Sequence, residues 1–210
     1  MDSSAQYGSP ALRRKRRKTP ADRRQDLLDV AVACLAELGP RGATGREICR
    51  RAGVSHGLLR HYFANPDDLL LEAYKDLCDR YLAEFDRRLL DDTVDPWAAM
   101  DAFFEVLFSD QWSSPEVLGA WIAFWTLTRS DEAFARVNAA YNARLGALLQ
   151  RSLDRLPARL APGLTPESAG KILASAMDGL WLEFCLRPGG GKRDEAIELC
   201  RLTLRRLVEA

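Results

Sequence analysis

Apolar residues recur along this chain with the spacing of one face of an α-helix. The clearest stripe consists of Leu27, Val30, Ala31, Cys34, Leu35 and Leu38. Spacings of three and four residues place side chains on one helix face, so this stripe predicts an amphipathic helix with one buried side. Gly39 follows the stripe directly and is expected to end the helix. No segment alternates strictly between apolar and polar residues as a strand does, so the pattern predicts an all-α protein.

Several predicted helices begin with a capping residue followed by proline. This start occurs at Asn65-Pro66, Asp95-Pro96, Ser114-Pro115 and Thr165-Pro166. The cap side chain accepts a backbone N–H that has no partner inside the helix. Proline is favoured at the next position because its missing N–H would be unpaired there anyway. With the apolar periodicity, these starts predict about nine helices, near residues 20–38, 45–52, 56–62, 66–90, 96–109, 115–128, 131–155, 166–187 and 193–208.

Charge is distributed unevenly, although the formal net charge is zero. Residues 1–66 carry 13 Lys or Arg and 6 Asp or Glu, whereas residues 67–210 carry 17 and 24. A basic first third indicates that this part alone meets a polyanion. The most basic run is RRKRRK, residues 13–18, within a segment 1–19 that we interpret as a disordered arm. This run is compatible with a solvated tail, a localisation signal or an arm that contacts DNA phosphates or the minor groove.

The cysteines and the hydropathy constrain the cellular compartment. Five cysteines are widely spaced and form no Cys-x-x-Cys pair. This pattern argues against a zinc site or a disulfide framework and favours a reduced, intracellular protein. No apolar run approaches the roughly 20 residues that cross a membrane, and the N-terminus lacks the apolar stretch of a secretory signal. We therefore expect a cytoplasmic protein without membrane association, metal or cofactor.

The segment TGREICRRAGVSHGLLRHYF, residues 44–63, predicts two short helices and a tight turn. Ile48 and Cys49 place apolar groups on one face of the first helix. Gly53 follows, where the turn requires a positive φ that glycine adopts without steric cost. Ser55 can then cap the second helix. Two short helices joined by a turn that contains glycine form a helix-turn-helix, whose second helix lies in the DNA major groove.

Both histidines of the chain, His56 and His61, lie on this second helix. Their five-residue spacing turns the rings apart and nearby carboxylates are lacking, so a metal or catalytic pair is the less favoured alternative. Gly57 inside a helix costs about 1 kcal/mol relative to alanine, and close approach to a sugar or a thymine methyl is one use for it. Arg60 can bond a guanine edge or a phosphate. The candidate DNA-reading face therefore comprises Ser55, His56, Gly57, Arg60 and His61.

The pattern T-x-x-x-I-x-x-x-A-G-V-S-x-G-x-x-x-x-Y-F over residues 44–63 resembles the N-terminal domain of TetR-family transcriptional regulators. The resemblance implies phosphate contacts from Thr44 and Tyr62, and base or phosphate contacts from the reading face. We include Arg46 of the same segment among the candidate DNA contacts. One departure is that Pro66-Asp67 stands where the family often carries a lysine at the start of its fourth helix. A double-stranded DNA operator is the partner that the resemblance implies.

The resemblance also implies the domain organisation. We expect the basic arm at 1–19, a helix-turn-helix domain at 20–65 and an effector-binding and dimerisation domain at 66–210. In this family the last two helices, here 166–187 and 193–208, form a four-helix bundle with a second subunit. The alternative use of their apolar residues, which include Ile172, Ala176, Gly179 and Leu180, is an intramolecular core. We favour a homodimer because paired DNA half-sites require two-fold symmetry.

Two stretches resemble the C-terminal domain of BetI-like regulators, the TetR branch that answers to choline. They are GAWIAFWTLTRSDEAFARVNAAYNARLGALL at 119–149 and MDGLWLEFCL at 177–186. Glu183 departs from the basic residue expected after DGLWL. The resemblance implies a small-molecule effector, and aromatic faces bind quaternary ammonium groups by cation–π attraction worth about 0.5–2 kcal/mol per contact. The candidate effector site comprises Trp121, Phe124, Trp125, Asp178 and Trp181.

An alternative stays open for that site, in which the tryptophans are core residues and Asp178 accepts a backbone N–H. At the level of function, a ligand-responsive dimeric DNA-binding repressor is favoured. A constitutive DNA-binding or scaffold protein without an effector is the second possibility, and stabilisation by a small molecule would distinguish the two. We predict that the chain is not an enzyme, because no phosphate-binding loop, nucleophile elbow or metal spacing is present in the sequence.

Overall fold

A computed structural model describes residues 19–187 and 191–209. This part of the chain is helical, with one pair of two-residue strands, which confirms the predicted all-α class. The predicted arm lies outside the described residues, apart from Thr19. The elements are α1 Pro20–Gly42, α2 Gly45–Ala52, α3 His56–Tyr62, α4 Pro66–Leu89, α5 Pro96–Leu107, α6 Asp110–Ser113, α7 Pro115–Thr128, α8 Glu132–Asp154, β1 Arg159–Leu160, α9 Pro166–Leu186, α10 Arg193–Leu207 and β2 Val208–Glu209.

The nine predicted helices are all present, and two small features were not predicted. The first is α6, a single turn between α5 and α7. The second is the antiparallel pair of β1 with β2, in which Arg159 faces Glu209 and Leu160 faces Val208. Two residues are too few to show an alternating pattern, so tertiary docking rather than local sequence forms this pair.

Side-chain caps form at the predicted helix starts. Asn65 accepts the Asp68 N–H at 2.8 Å, and equivalent caps form at Asp95, Ser114 and Thr165. The end of the first helix also follows the prediction, since Gly39 has φ +66° and interrupts the regular helix. One further turn then continues through Gly42 before α2 begins.

The long helix α4 connects the helix-turn-helix to the rest of the molecule. It starts directly after α3, packs against α1 and α8, and buries apolar residues along its whole length. Fully buried aromatic side chains lie where α4 packs against α7 and, further along, against α5: Tyr74, Phe85, Phe103, Phe104 and Phe124. Within the described ranges, no helix combines the length and apolarity that crossing a bilayer requires.

Helices α1 and α7 cross at very close range, because Gly119 of α7 lies against the backbone of Ala36 in α1. A Cβ atom at Gly119 would lie 2.7 Å from the carbonyl oxygen and 3.1 Å from the Cα of Ala36. The crossing distance therefore depends on the absence of a side chain at this position. It joins the helix-turn-helix end of the molecule to a helix of the larger domain.

Candidate functional site

The predicted helix-turn-helix is formed by α2 and α3. Thr44 caps α2 by accepting the Glu47 N–H at 3.3 Å, and Ser55 caps α3 by accepting the Leu58 N–H at 3.2 Å. Gly53 ends α2 in the left-handed region, with φ +65°. Leu59 is buried and anchors α3 to the core. Because each cap uses its hydroxyl oxygen as an acceptor, both hydroxyl protons remain available to a phosphate.

The opposite face of α3 is exposed and carries His56, Gly57, Arg60 and His61. A Cβ atom built at Gly57 would meet only the Ser55 Oγ atom, at 3.7 Å. Packing within the described residues therefore does not require glycine at this position. The Tyr62 ring is half-buried and lies edge-on to His61, with the ring centres 5.1 Å apart.

The arginines of this surface fall into two groups. Arg50 and Arg51 form ion pairs with Glu47 at 2.6 and 2.7 Å. Hydrogen bonds from Arg50 and then Arg51 lower the pKa of Glu47 to about 2, so its carboxylate stays charged at neutral pH. Arg46 and Arg60 are exposed, and neither has an ion-pair partner in residues 19–187 and 191–209. These two guanidinium groups are the ones that can bind phosphates or base edges without breaking an internal ion pair.

The residue that departs from the family pattern has a packing role. A Cβ atom at Gly45 would lie 2.8 Å from the Pro66 Cγ atom, so the start of α4 is pressed against the start of α2. Pro66 is exposed on its other side. Pro66 therefore makes an apolar contact between two helix N-termini, which sequence reasoning did not anticipate.

A cavity of about 190 Å³ lies in the larger domain between α4, α5, α7, α8 and α9. Four of the five predicted effector residues lie in its wall, namely Trp121, Trp125, Asp178 and Trp181. The sequence did not identify the remaining wall residues, which are Tyr81, Phe85, Leu107, Asn138, Tyr141, Asn142, Leu145 and Met177.

The aromatic rings of the wall meet at varied angles. Trp121 lies next to Trp125, with ring centres 6.0 Å apart, and next to Tyr141 at 5.4 Å. Trp125 stands edge-on to Trp181 at 6.5 Å and 82°, and Trp121 is perpendicular to Tyr81 at 5.2 Å. Trp121 and Trp181 are buried, with 4% and 6% of their surface exposed, as core residues are, whereas Trp125 is 36% exposed. Trp125 is therefore the tryptophan whose ring face is most accessible to a small cation.

Phe124 lies outside this wall, contrary to its place in the predicted site. It is fully buried and stacks on Tyr74, with ring centres 4.4 Å apart. The reason is helical geometry: Trp121 and Trp125 are four residues apart and share one face, whereas Phe124 precedes Trp125 and turns toward the core.

Asp178 supplies the carboxylate of the cavity. The side chain is accessible because it faces the cavity and an adjoining groove. Protein atoms nevertheless surround the carboxyl group, and this desolvation raises its pKa to about 6. Within residues 19–187 and 191–209, neither a hydrogen-bond donor nor a cation pairs with it, so the alternative role as an acceptor for a backbone N–H is not observed. Burial, and then the Asp178 charge, raise the pKa of Tyr141 well above its usual value, which keeps that phenol neutral.

The unpredicted helix α6 orients two rings of the wall. The carbonyl oxygen of Trp112 accepts hydrogen bonds from the Tyr81 hydroxyl at 2.9 Å and from the Trp181 indole N–H at 3.1 Å. One backbone atom therefore fixes side chains of α4 and α9 at the same time. Since these residues are far apart in the chain, no local pattern could have identified the arrangement.

A helix-turn-helix joined to a larger helical domain with an aromatic cavity is the architecture of one-component DNA-binding regulators, which combine both domains in one polypeptide. Comparison with known families gives the same class: residues 27–73 match "Bacterial regulatory proteins, tetR family", and residues 96–209 match "BetI-type transcriptional repressor, C-terminal". The chain therefore belongs to the TetR family of transcriptional regulators, with a C-terminal domain of the BetI type.

Similar proteins cover most of the chain. The HTH-type transcriptional regulator BetI of Serratia proteamaculans is 32% identical over 179 residues, which is 84% of this chain and 88% of that protein. A transcriptional regulator from Pseudomonas aeruginosa PAO1 is 32% identical, with a TM-score of 0.78 over 90% of this chain and 91% of that one. These relatives are transcriptional regulators, which confirms the prediction that the chain is not an enzyme.

A more distant structure has the same fold. A transcriptional regulator from Saccharomonospora viridis, solved in complex with choline, is 16% identical, with a TM-score of 0.76 over 90% of this chain and 100% of that one. At this identity the likeness concerns the fold alone.

Proposed function

We propose that this TetR-family protein is a homodimeric repressor whose DNA affinity is controlled by choline or another small quaternary ammonium compound. The observation that carries the proposal is the cavity that combines six aromatic residues with the unpaired carboxylate of Asp178. The proposed DNA-binding domain comprises residues 20–65, and the proposed effector and dimerisation domain comprises residues 66–210. Since its target is chromosomal DNA, the protein acts in the cytoplasm.

The chemistry of the cavity favours a quaternary ammonium ligand. Such a cation has no N–H to donate, so aromatic faces and an uncompensated carboxylate are the partners that suit it. Drug-sized ligands occupy pockets of about 300–1,000 Å³, so a cavity of about 190 Å³ suits a smaller molecule. Relatives of this chain carry the name BetI, and the choline complex from Saccharomonospora viridis shows that this fold can hold a ligand of this class. Glu183, where a basic residue was expected, lies outside the cavity wall.

On the DNA side, each subunit places α3 in the major groove. Arg46, Thr44 and Tyr62 bind phosphates beside the groove, and Arg60 reads a guanine edge or grips a phosphate. The exposed backbone at Gly57 allows α3 to approach the duplex closely. Ser55, His56 and His61 complete the contact surface. The two half-sites lie about 34–36 Å apart, one helical turn of DNA.

The proposed dimer interface is formed by α9 and α10. Ile172 of α9 is 44% exposed, and Leu199 and Leu202 of α10 are 40% and 44% exposed. A Cβ atom at Gly179 would have no neighbour within 4 Å, so a partner helix can approach α9 closely there. These four positions disfavour a purely intramolecular core, whereas Leu180 is half-buried within the subunit.

The route from ligand to DNA runs through α4 and α7. Helix α7 carries Trp121 and Trp125 in the cavity and, two residues before Trp121, Gly119 against α1 of the DNA-binding domain. Helix α4 carries Tyr81 in the cavity and begins beside α2. A ligand that repositions either helix changes the spacing of the two reading heads. A coupling of about 1–3 kcal/mol is typical of such linkage.

Thermal-shift and calorimetric titration with choline test the effector. We expect choline to stabilise the wild type and to lose this effect in Trp125→Ala. Lithium and tetrapropylammonium serve as controls, because both carry one positive charge but differ from choline in size. If quaternary amines fail to bind, the proposal of a constitutive DNA-binding protein replaces this one.

DNA selected by the purified protein from a random library tests the reading face. Gly57→Ala should weaken binding to the selected DNA without lowering stability, because its Cβ has space in the protein. Tyr62→Phe should also weaken binding, because it removes the hydroxyl that contacts a phosphate and leaves the ring in place. Unchanged affinity in both variants would show that α3 is not the reading helix.

A further inference from the structure

An open groove of about 560 Å³ runs between α8 and α9 beside the aromatic cavity. The groove and the cavity share three wall residues, Asn142, Leu145 and Asp178. The cavity therefore adjoins the groove at the Asp178 carboxylate. A molecule whose cationic head fills the cavity can extend into the groove without leaving the protein surface.

The α9 side of the groove carries polar groups in a regular order. Asp178, Ser175 and Lys171 line it at intervals of three and four residues, so they lie on one face of the helix. Seven residues of helix place the Asp178 and Lys171 backbones roughly 10 Å apart. Lys171 is exposed and has no ion-pair partner within the described parts of the chain, although Glu167 lies one turn away. From the cavity along the groove, the order is an anion, a hydroxyl and a cation, and the carboxylate of Glu167 lies at the far end.

We propose that the effector site extends from the cavity into this groove and accepts a zwitterionic quaternary ammonium compound, with its anionic group held by Lys171 and Ser175. The inference rests on the proposed function, since it requires the cationic head to lie among the aromatic rings near Asp178. A phosphate monoester or a carboxylate on a short linker supplies the complementary charge. A lysine ammonium and a hydroxyl are both donors that bind such oxygens.

The dimensions of the two spaces support an extended ligand. The cavity has room for a compact head, and the adjoining groove is about three times larger. Gly146 and Ala174 line the groove, and because glycine has no side chain and alanine only a methyl group, the space between α8 and α9 stays open there. Choline alone would leave the groove to water.

Calorimetry with choline and phosphocholine at pH 7.5 tests the extension, using wild type, Lys171→Met and the control Lys192→Met. Lys192 is an exposed lysine outside the groove. We expect the wild type to bind phosphocholine about tenfold more tightly than choline, as one added charge-assisted contact would give. Lys171→Met should remove this preference and leave choline affinity unchanged, whereas Lys192→Met should behave as wild type.

The outcomes separate the two proposals. Binding of choline with no preference for phosphocholine, or an equal loss of both affinities in Lys171→Met, would overturn the extended site but not the cavity. Failure of both compounds to bind would overturn the proposed effector itself. Phosphocholine is also a lipid headgroup, so sedimentation with phosphatidylcholine vesicles is the companion measurement. We expect the protein to stay in the supernatant, because the cationic head must lie among the aromatic rings of the cavity wall. Cosedimentation that Lys171→Met abolishes would overturn a free effector in favour of a lipid.

Discussion

Replacing Asp178 by Asn removes a charge from the aromatic cavity and changes little else. The two side chains have nearly the same shape, and Asp178 has no hydrogen-bond partner to lose within the described residues. The substitution therefore isolates the electrostatic contribution of the carboxylate to binding a cation. The aromatic rings that would contact the ligand stay in place.

The expected magnitude follows from the position of the carboxylate. Two opposite charges about 4 Å apart attract by about 4 kcal/mol at an effective dielectric constant of 20. Asp178 remains accessible to water in the cavity, so screening reduces this value to roughly 1–3 kcal/mol. Asp178→Asn should accordingly weaken choline binding by about 10- to 100-fold. An effect below about threefold would show that the carboxylate does not face the cation.

The pH dependence gives an independent check on the same group. Because the pKa of Asp178 is raised to about 6, the carboxylate that attracts the cation is lost as pH falls through 6. Choline affinity in the wild type should fall about tenfold between pH 7.5 and pH 5, whereas the affinity of Asp178→Asn should stay constant. A pH-independent affinity in the wild type would contradict the assignment.

The stability of the ligand-free protein should depend on pH in the opposite direction to choline affinity. A carboxyl group whose pKa is higher in the folded state than in the unfolded chain binds its proton more tightly when folded, so stability falls as pH rises from about 4 to about 6. Above this window an unpaired carboxylate is retained at a cost in stability. At pH 8, Asp178→Asn should therefore unfold at a temperature no lower than the wild type, and a large decrease would show that Asp178 has a structural partner.

Three further perturbations test other parts of the account. Gly119→Ala should lower the free energy of unfolding in urea by about 1–3 kcal/mol, because its Cβ would clash with the α1 backbone; Gly146→Ala, whose Cβ meets nothing within 4 Å, should not lower it. Arg60→Ala should weaken DNA binding, and a reduction of about one in the salt slope would identify a phosphate contact; Arg136→Ala on α8 is the control with unchanged binding. Ile172→Glu should shift the sedimentation coefficient from dimer to monomer, and a retained dimer would place the interface elsewhere.

The fold could be predicted from local patterns because helices carry their information locally. The apolar stripe that ends at Gly39 and the cap at Asn65 specify where helices begin and end without reference to distant residues. The turn at Gly53 is equally local, since it depends on a positive φ between two short helices. The single turn α6 contributes too few residues to show any period.

The aromatic cavity was predictable only in part, for the opposite reason. Trp121 and Trp125 reveal a shared face through their spacing, but Tyr81 and Tyr141 reach the cavity because α4 and α8 pack against α7. No spacing along the chain reports that packing. The same limit explains Phe124, whose neighbour Trp125 lines the cavity while its own ring stacks on Tyr74 in the core.

The central claim is that occupancy of the aromatic cavity controls DNA affinity. The most direct test is fluorescence anisotropy of labelled DNA selected by this protein, titrated with choline in the presence of wild type or Trp125→Ala. We predict that choline releases the DNA from the wild type and leaves the complex of the variant intact. DNA affinity that is unchanged when choline is shown by calorimetry to be bound would contradict the account.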